Sequence, residues 1–167
     1  MNIILKSTLF TLNKAQSLLD TLTDDQLCNP SIGPYYSSIG SHLRHVLDFY
    51  DCLFNYGDNF VVDLTSRSRN KDVERQCCTA RDYLNTTIEK IKNFNLNLDK
   101  EVAVIDDMGL GKVEINYTFS VLFAQANSHA IHHFAIINYI IEGLGFSLED
   151  SDFGYNPTTP KNKTVNC

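Results

Sequence analysis

Apolar residues recur at helical spacing in four long stretches of this chain. Leu5, Leu9, Leu12, Leu19 and Leu22 share one broad face, which predicts a helix from about Ile3 to Leu22. Thr23-Asp24-Asp25-Gln26 has the form of a cap for a further short turn, before Asn29-Pro30 and Gly33-Pro34 break the chain. Ser37 or Ser38 then suits the N-cap of a second helix, carried by Ile39, Leu43, Val46, Tyr50, Leu53 and Phe54 and stopped at Gly57. Val73, Cys77, Ala80, Leu84, Ile88 and Ile91 predict a third, from about Lys71 to Phe94. The fourth begins near Thr118 or Ser120 and runs through Val121, Leu122 and Phe123 to Ile141, ending at Gly143 or Gly145.

The period changes between Leu98 and Tyr117. Val102-Ala103-Val104-Ile105 and Val113-Glu114-Ile115-Asn116-Tyr117 flank Asp106-Asp107-Met108-Gly109-Leu110-Gly111, which reads as a hairpin of two strands. The stretch from Asp58 to Asn70 sets a short apolar patch, Phe60-Val61-Val62, before Ser66-Arg67-Ser68-Arg69, and reads as a long surface connection. From Ser147 the chain is polar. The expectation is therefore all-α: one four-helix-bundle domain over residues 1–167, with a long connection between helices two and three, a small hairpin insert before helix four, and an extended tail over 144–167.

Length and a 43% hydrophobic content allow one substantial core. The formal net charge is −6 and the basic residues are scattered, which argues against a nucleic-acid partner and against an anionic membrane surface. With no apolar run long enough to span a bilayer and no signal-like start at Met1 to Leu22, a cytoplasmic protein is expected. Cys28, Cys52, Cys77, Cys78 and Cys167 are odd in number and include no C-x-x-C pair, so reduced thiols are expected rather than disulfides or a thiolate metal site. Cys52 falls two turns from His45 and reads as a small buried hydrophobe. The Asn-x-Ser/Thr triplets at Asn85, Asn116 and Asn162 read as chance.

All five histidines lie in two of the predicted helices: His42 and His45 in the second, His129, His132 and His133 in the fourth. His129 and His133 are four apart, so both imidazoles share one helical face with Leu122, Ile136 and Ile140 and can reach one ion. His132, three from His129, is a possible substitute for either. A third ligand must come from elsewhere, and His42 and His45 both offer it. The alternative is a set of core histidines satisfied by polar neighbours such as Gln125 and Asn127.

The run Ser128-His129-Ala130-Ile131-His132-His133-Phe134-Ala135-Ile136-Ile137 resembles the last-helix motif of the DinB/YfiT-like metalloenzymes. Ser38-Ile39-Gly40-Ser41-His42-Leu43-Arg44-His45-Val46-Leu47-Asp48 is similar to the segment where that family places a lone metal-binding histidine, and that position maps onto His45. Asp152-Phe153-Gly154-Tyr155-Asn156-Pro157-Thr158-Thr159 resembles the family's C-terminal ending. The resemblance covers nearly the whole chain, with the histidine cluster its most specific part. It implies an up-down-down-up four-helix bundle, often dimeric, that binds zinc, nickel or iron through His45, His129 and His133.

Asp48, one turn beyond His45, is then a candidate to support a ligand from behind or an exposed helix acid, and His42 and His132 are candidates for similar supporting roles. Three neutral imidazoles leave a cation's charge uncompensated and coordination positions free, which suits activation of a nucleophile. By the resemblance, the activity implied is a transferase that uses a low-molecular-weight thiol on a small-molecule electrophile. Metal-assisted hydrolysis and a non-catalytic, metal-stabilised binding module are the alternatives. No catalytic general base stands out in the sequence.

Overall fold

The computed structural model describes residues 1–160, so Asn162 and Cys167 lie outside the described residues. Five helices and three strands follow in the order α1 (Ile3–Thr21), α2 (Asp24–Cys28), α3 (Ile39–Phe54), β1 (Val61–Asp63), α4 (Cys77–Lys92), β2 (Glu101–Asp107), β3 (Lys112–Thr118) and α5 (Phe119–Gly143). Each helix start has a local cause. Asn2 accepts from the Ile4 N–H at α1, and a reciprocal Thr23–Gln26 capping box opens α2. Ser38 and Thr118 accept from Ser41 N–H and Val121 N–H at α3 and α5.

The all-α expectation is overturned. β1, β2 and β3 form one mixed sheet in that order, with β1 parallel to β2 and β2 antiparallel to β3, so the fold is α/β. The expected hairpin is β2–β3. The strand that the sequence does not announce is β1, part of the supposed surface connection: Val61 pairs with Ala103 and Val62 with Val104, and Val62 is fully buried. Parallel pairing requires a crossover, and α4 supplies it between β1 and β2. Three residues are too few to show a period of two.

α1 packs on α4 and α5, and α3 packs on the same two helices, so apolar faces of all four long helices close on one core. An aromatic cluster at the end of α3 joins helices to sheet. Phe94 meets both Phe119 and Phe123, with ring centroids 5.2 and 5.0 Å apart, while Tyr56 stacks on Phe60 beside Phe119.

The predicted third helix starts six residues late. Residues 71–75 instead turn across the start of α3, where a Cβ on Gly40 would strike the Glu74 carbonyl. Asp24 accepts from the Cys77 N–H at 2.7 Å, so an acid of α2 caps α4. The tail is not simply extended: residues 151–154 turn, Phe153 is buried and stacks on Phe134, and Gly154 (φ +75°) lies against the Ala135 backbone.

Candidate metal centre

α3 and α5 meet face to face, and their histidines meet with them. His45, His129 and His133 each offer a ring nitrogen, and the three atoms lie within 4.8 Å of one another. Ring centroids are 4.8 Å apart for His45 and His129, 4.6 Å for His45 and His133, and 4.5 Å for His129 and His133. Of the two α3 histidines, His45 faces both α5 rings of the group.

His42 stands behind them. Its Nδ1 lies 2.8 Å from Nδ1 of His133, and its Nε2 lies 2.7 Å from Ser37 Oγ. Two neutral arrangements satisfy both contacts, and in one of them His133 Nδ1–H donates to His42 Nδ1 and His42 Nε2–H donates to Ser37. That tautomer leaves the His133 Nε2 lone pair free, as a ligand requires. His132 is exposed and touches the group through its ring against His133, at 5.3 Å between centroids.

Asp48 does something else. It is fully buried and is bonded by Arg44 Nη1 at 2.9 Å, Ser68 Oγ at 3.0 Å, Tyr83 Oη at 3.2 Å and the Arg69 N–H at 3.2 Å. It is neither an exposed acid nor bonded to His45. It fastens the β1–α4 connection to the face of α3.

That connection carries Arg67, which sequence reasoning left in a surface loop. Arg67 Nε donates to the Leu64 carbonyl at 2.9 Å, and its Nη1 lies 2.6 Å from His45 Nδ1 and 3.3 Å from Nε2. Only the Ser-Arg-Ser-Arg run marked the position, and nothing in it says the segment folds back over α3. Ser37, in the sequence a candidate cap, meets His42 here, and the Phe49 ring, for which the sequence predicts no role, lies 5.1 Å from that of His129.

Burial lowers the proton affinity of the whole group. His45 and His129 are pushed down to about 4, chiefly by burial and then by the Arg67 charge. His133 is pushed down to about 2 by burial and its histidine neighbours, and His42 is lowered by burial. All are neutral at pH 7, so each keeps one ring lone pair, although that of His45 faces Arg67.

The residues fit a divalent cation. Among the described residues, His129 Nε2 is buried without a hydrogen-bond partner, a costly condition that a cation would relieve. Gln125 Oε1 and Asn127 Oδ1 are themselves buried and unpartnered, so these neighbours do not satisfy the histidines. Nitrogens about 2.0–2.1 Å from a tetrahedral ion stand roughly 3.4 Å apart, so closure from 4.8 Å takes side-chain shifts of about 1 Å. The group can therefore hold a metal ion.

No protein-family model matches the chain, and no curated protein matches it. What the site can do follows from its own chemistry. Beside it, a cavity of about 640 Å³ is walled by Ile32, Pro34, Tyr35, Ile136 and Tyr139, with Ser37 and His132 as polar groups. The cavity reaches the histidines through the Ser37–His42–His133 contacts, not through the ligand nitrogens themselves. No helix among the described residues is long and apolar enough to cross a membrane.

Proposed function

We propose that the chain is a metal-dependent transferase of DinB-like character, in which His45, His129 and His133 hold a divalent cation and a low-molecular-weight thiol attacks a small electrophile. The observation that carries this reading is the convergence of three neutral imidazoles on one point, one with a buried, unpartnered nitrogen. The resemblance of the two histidine segments and the tail to DinB/YfiT-like proteins supports it. When bound, zinc, nickel or ferrous iron would lower the pKa of a coordinated thiol and favour its thiolate.

The chain's own residues do the rest. In this reading His42, 2.8 Å from His133, accepts from it and so fixes its tautomer, with Ser37 completing the line. Among the described residues, the cysteine on the helix of His45 is no ready nucleophile: burial raises Cys52 to about 11, and its thiol donates to the Ser66 carbonyl. Cys77 is also raised to about 11 by burial. In this reading the attacking sulfur is a cofactor's, and the 640 Å³ cavity, apolar with a few polar groups, has a volume suited to a small organic substrate.

Elemental content of untagged protein purified without added metal, compared with His45→Ala, His129→Ala and His133→Ala, tests the site. Near-stoichiometric metal lost in each variant is expected. Thiol-dependent consumption of an electrophile by the loaded protein then tests transfer. Consumption that proceeds equally without thiol would point to hydrolysis by bound water, and absence of metal after incubation with zinc, nickel or ferrous iron would remove both readings.

A further inference from the structure

Arg67 is placed by the fold and not by chance. β1 delivers the connection to the sheet, the Leu64 N–H donates to the Ile105 carbonyl, and the Leu64 carbonyl in turn accepts from Arg67 Nε. On its other side, Ser68 and the Arg69 N–H are both bonded to buried Asp48. A guanidinium so fastened sits 2.6 Å from one nitrogen of His45. This is a poor place for a cation whose only task is structural, since a neutral imidazole is a weaker acceptor than a carboxylate.

The charge balance says what is missing. Among the described residues, the charged side chains that act most on His45 and His129 are Arg67 and Arg44, with Asp106 opposing them at His129. Arg44 is already paired with Asp48 and Glu74, and among the described residues Arg67 has no acid partner in its hydrogen bonds. A divalent cation on the histidines would leave this side of the site strongly positive, with no protein carboxylate bonded to the guanidinium. Guanidinium geometry matches a planar carboxylate through two parallel N–H donors.

We propose that Arg67 is the anion-recognising residue of this site and that the small-molecule ligand bears a carboxylate, which replaces His45 as the acceptor of the guanidinium. The proposal rests on the reading of the cluster as a cation site and adds the class of ligand that site takes. His45 is released from Arg67 as the carboxylate arrives, so ligation by His45 and recognition by Arg67 become mutually supporting.

The test uses the full chain loaded with Co²⁺, whose visible absorption reports changes at the ion. Acetate and its neutral counterpart acetamide are titrated into the wild type, Arg67→Lys and Arg67→Gln. Acetate affinity is expected to fall at least tenfold in Arg67→Gln, with Arg67→Lys between, while acetamide binds weakly and equally to all three. Equal acetate affinity in the wild type and Arg67→Gln overturns the proposal, as does acetamide binding as well as acetate. Should Arg67→Gln fail to fold by circular dichroism, Arg67→Lys decides, because it keeps the charge and loses the fork: unchanged affinity there overturns the proposal. If the wild type holds no Co²⁺, the cation reading falls, and acetate-dependent shifts of the imidazole NMR signals decide the role of Arg67. Shifts lost in the variants support it, and shifts that persist refute it.

Discussion

His42 Nδ1 and His133 Nδ1 lie 2.8 Å apart, across the contact between α3 and α5. In the proposed site the pair divides the labour of two histidines that look alike in sequence: one presents a lone pair, and the other holds it in place.

His42→Ala is therefore expected to weaken metal binding by about 10–100-fold without removing the site, the range typical for loss of a partner behind a ligand. His133→Ala should abolish stoichiometric binding. Competition against a chromophoric chelator measures both, and equal affinities for the wild type and His42→Ala would contradict the assigned division.

In the metal-free protein, stability should fall as the pH drops below about 6.5. The unfolded chain binds protons at its histidines near that value, whereas the folded chain does not until about 4 at His45 and His129 and about 2 at His133. The unfolded state is thus favoured by acid through this window, and these histidines add no pH dependence above about 7.5. Urea midpoints at pH 7.5, 6 and 5 should decline in the metal-free wild type and decline less in His129→Gln. A flat profile would be inconsistent with neutral, buried imidazoles.

Asp48→Ala is expected to destabilise the fold by about 3 kcal/mol, the lower end for breaking one side of a buried ion pair, because Arg44 keeps Glu74. Asp48→Asn should cost less, since its carbonyl still accepts from Ser68 or Tyr83. Urea denaturation gives the magnitudes, and limited proteolysis should show new cleavage between residues 64 and 70 in the alanine variant.

Phe153→Ala should cost about 3–5 kcal/mol, as for other buried aromatic truncations. Gly154→Ala should also destabilise, since φ is +75° and the new Cβ would lie 2.6 Å from the Ala135 nitrogen. Thermal unfolding of the two variants tests whether the tail is part of the packed structure. Unchanged midpoints would show that it is not.

The long helices were legible because each buries one face over many turns: Leu5, Leu12 and Leu19 on α1 or Leu43, Val46 and Tyr50 on α3 give the period directly. The hairpin showed itself through Val102 and Val104 on one face and the glycine-rich turn. β1 did not, because Val61 and Val62 are strand only by virtue of Ala103 and Val104, some forty residues on. The start of α4 was misread because Val73 and Cys77 keep a helical interval while the chain between them turns. At the site, histidine spacing brought His129 and His133 together on one helix, but the partition between His42 and His45 depends on how α3 rolls against α5. Arg67 and Asp48 were opaque for the same reason: their roles are set by a chain crossing from another element.

The parallel pairing of β1 with β2 has an entropic meaning for the chemistry nearby. Residues 55–76 would otherwise be a single long connection, free to sample many paths, with Arg67 near its middle. Pinning three residues to the sheet and two more to Asp48 divides that span into short arcs, each with few conformations left to lose. The ordering cost for Arg67 is met when the protein folds and not when a ligand arrives. A strand of three residues thus works as a pivot, giving a charge carried on a loop the fixity of one carried on a helix.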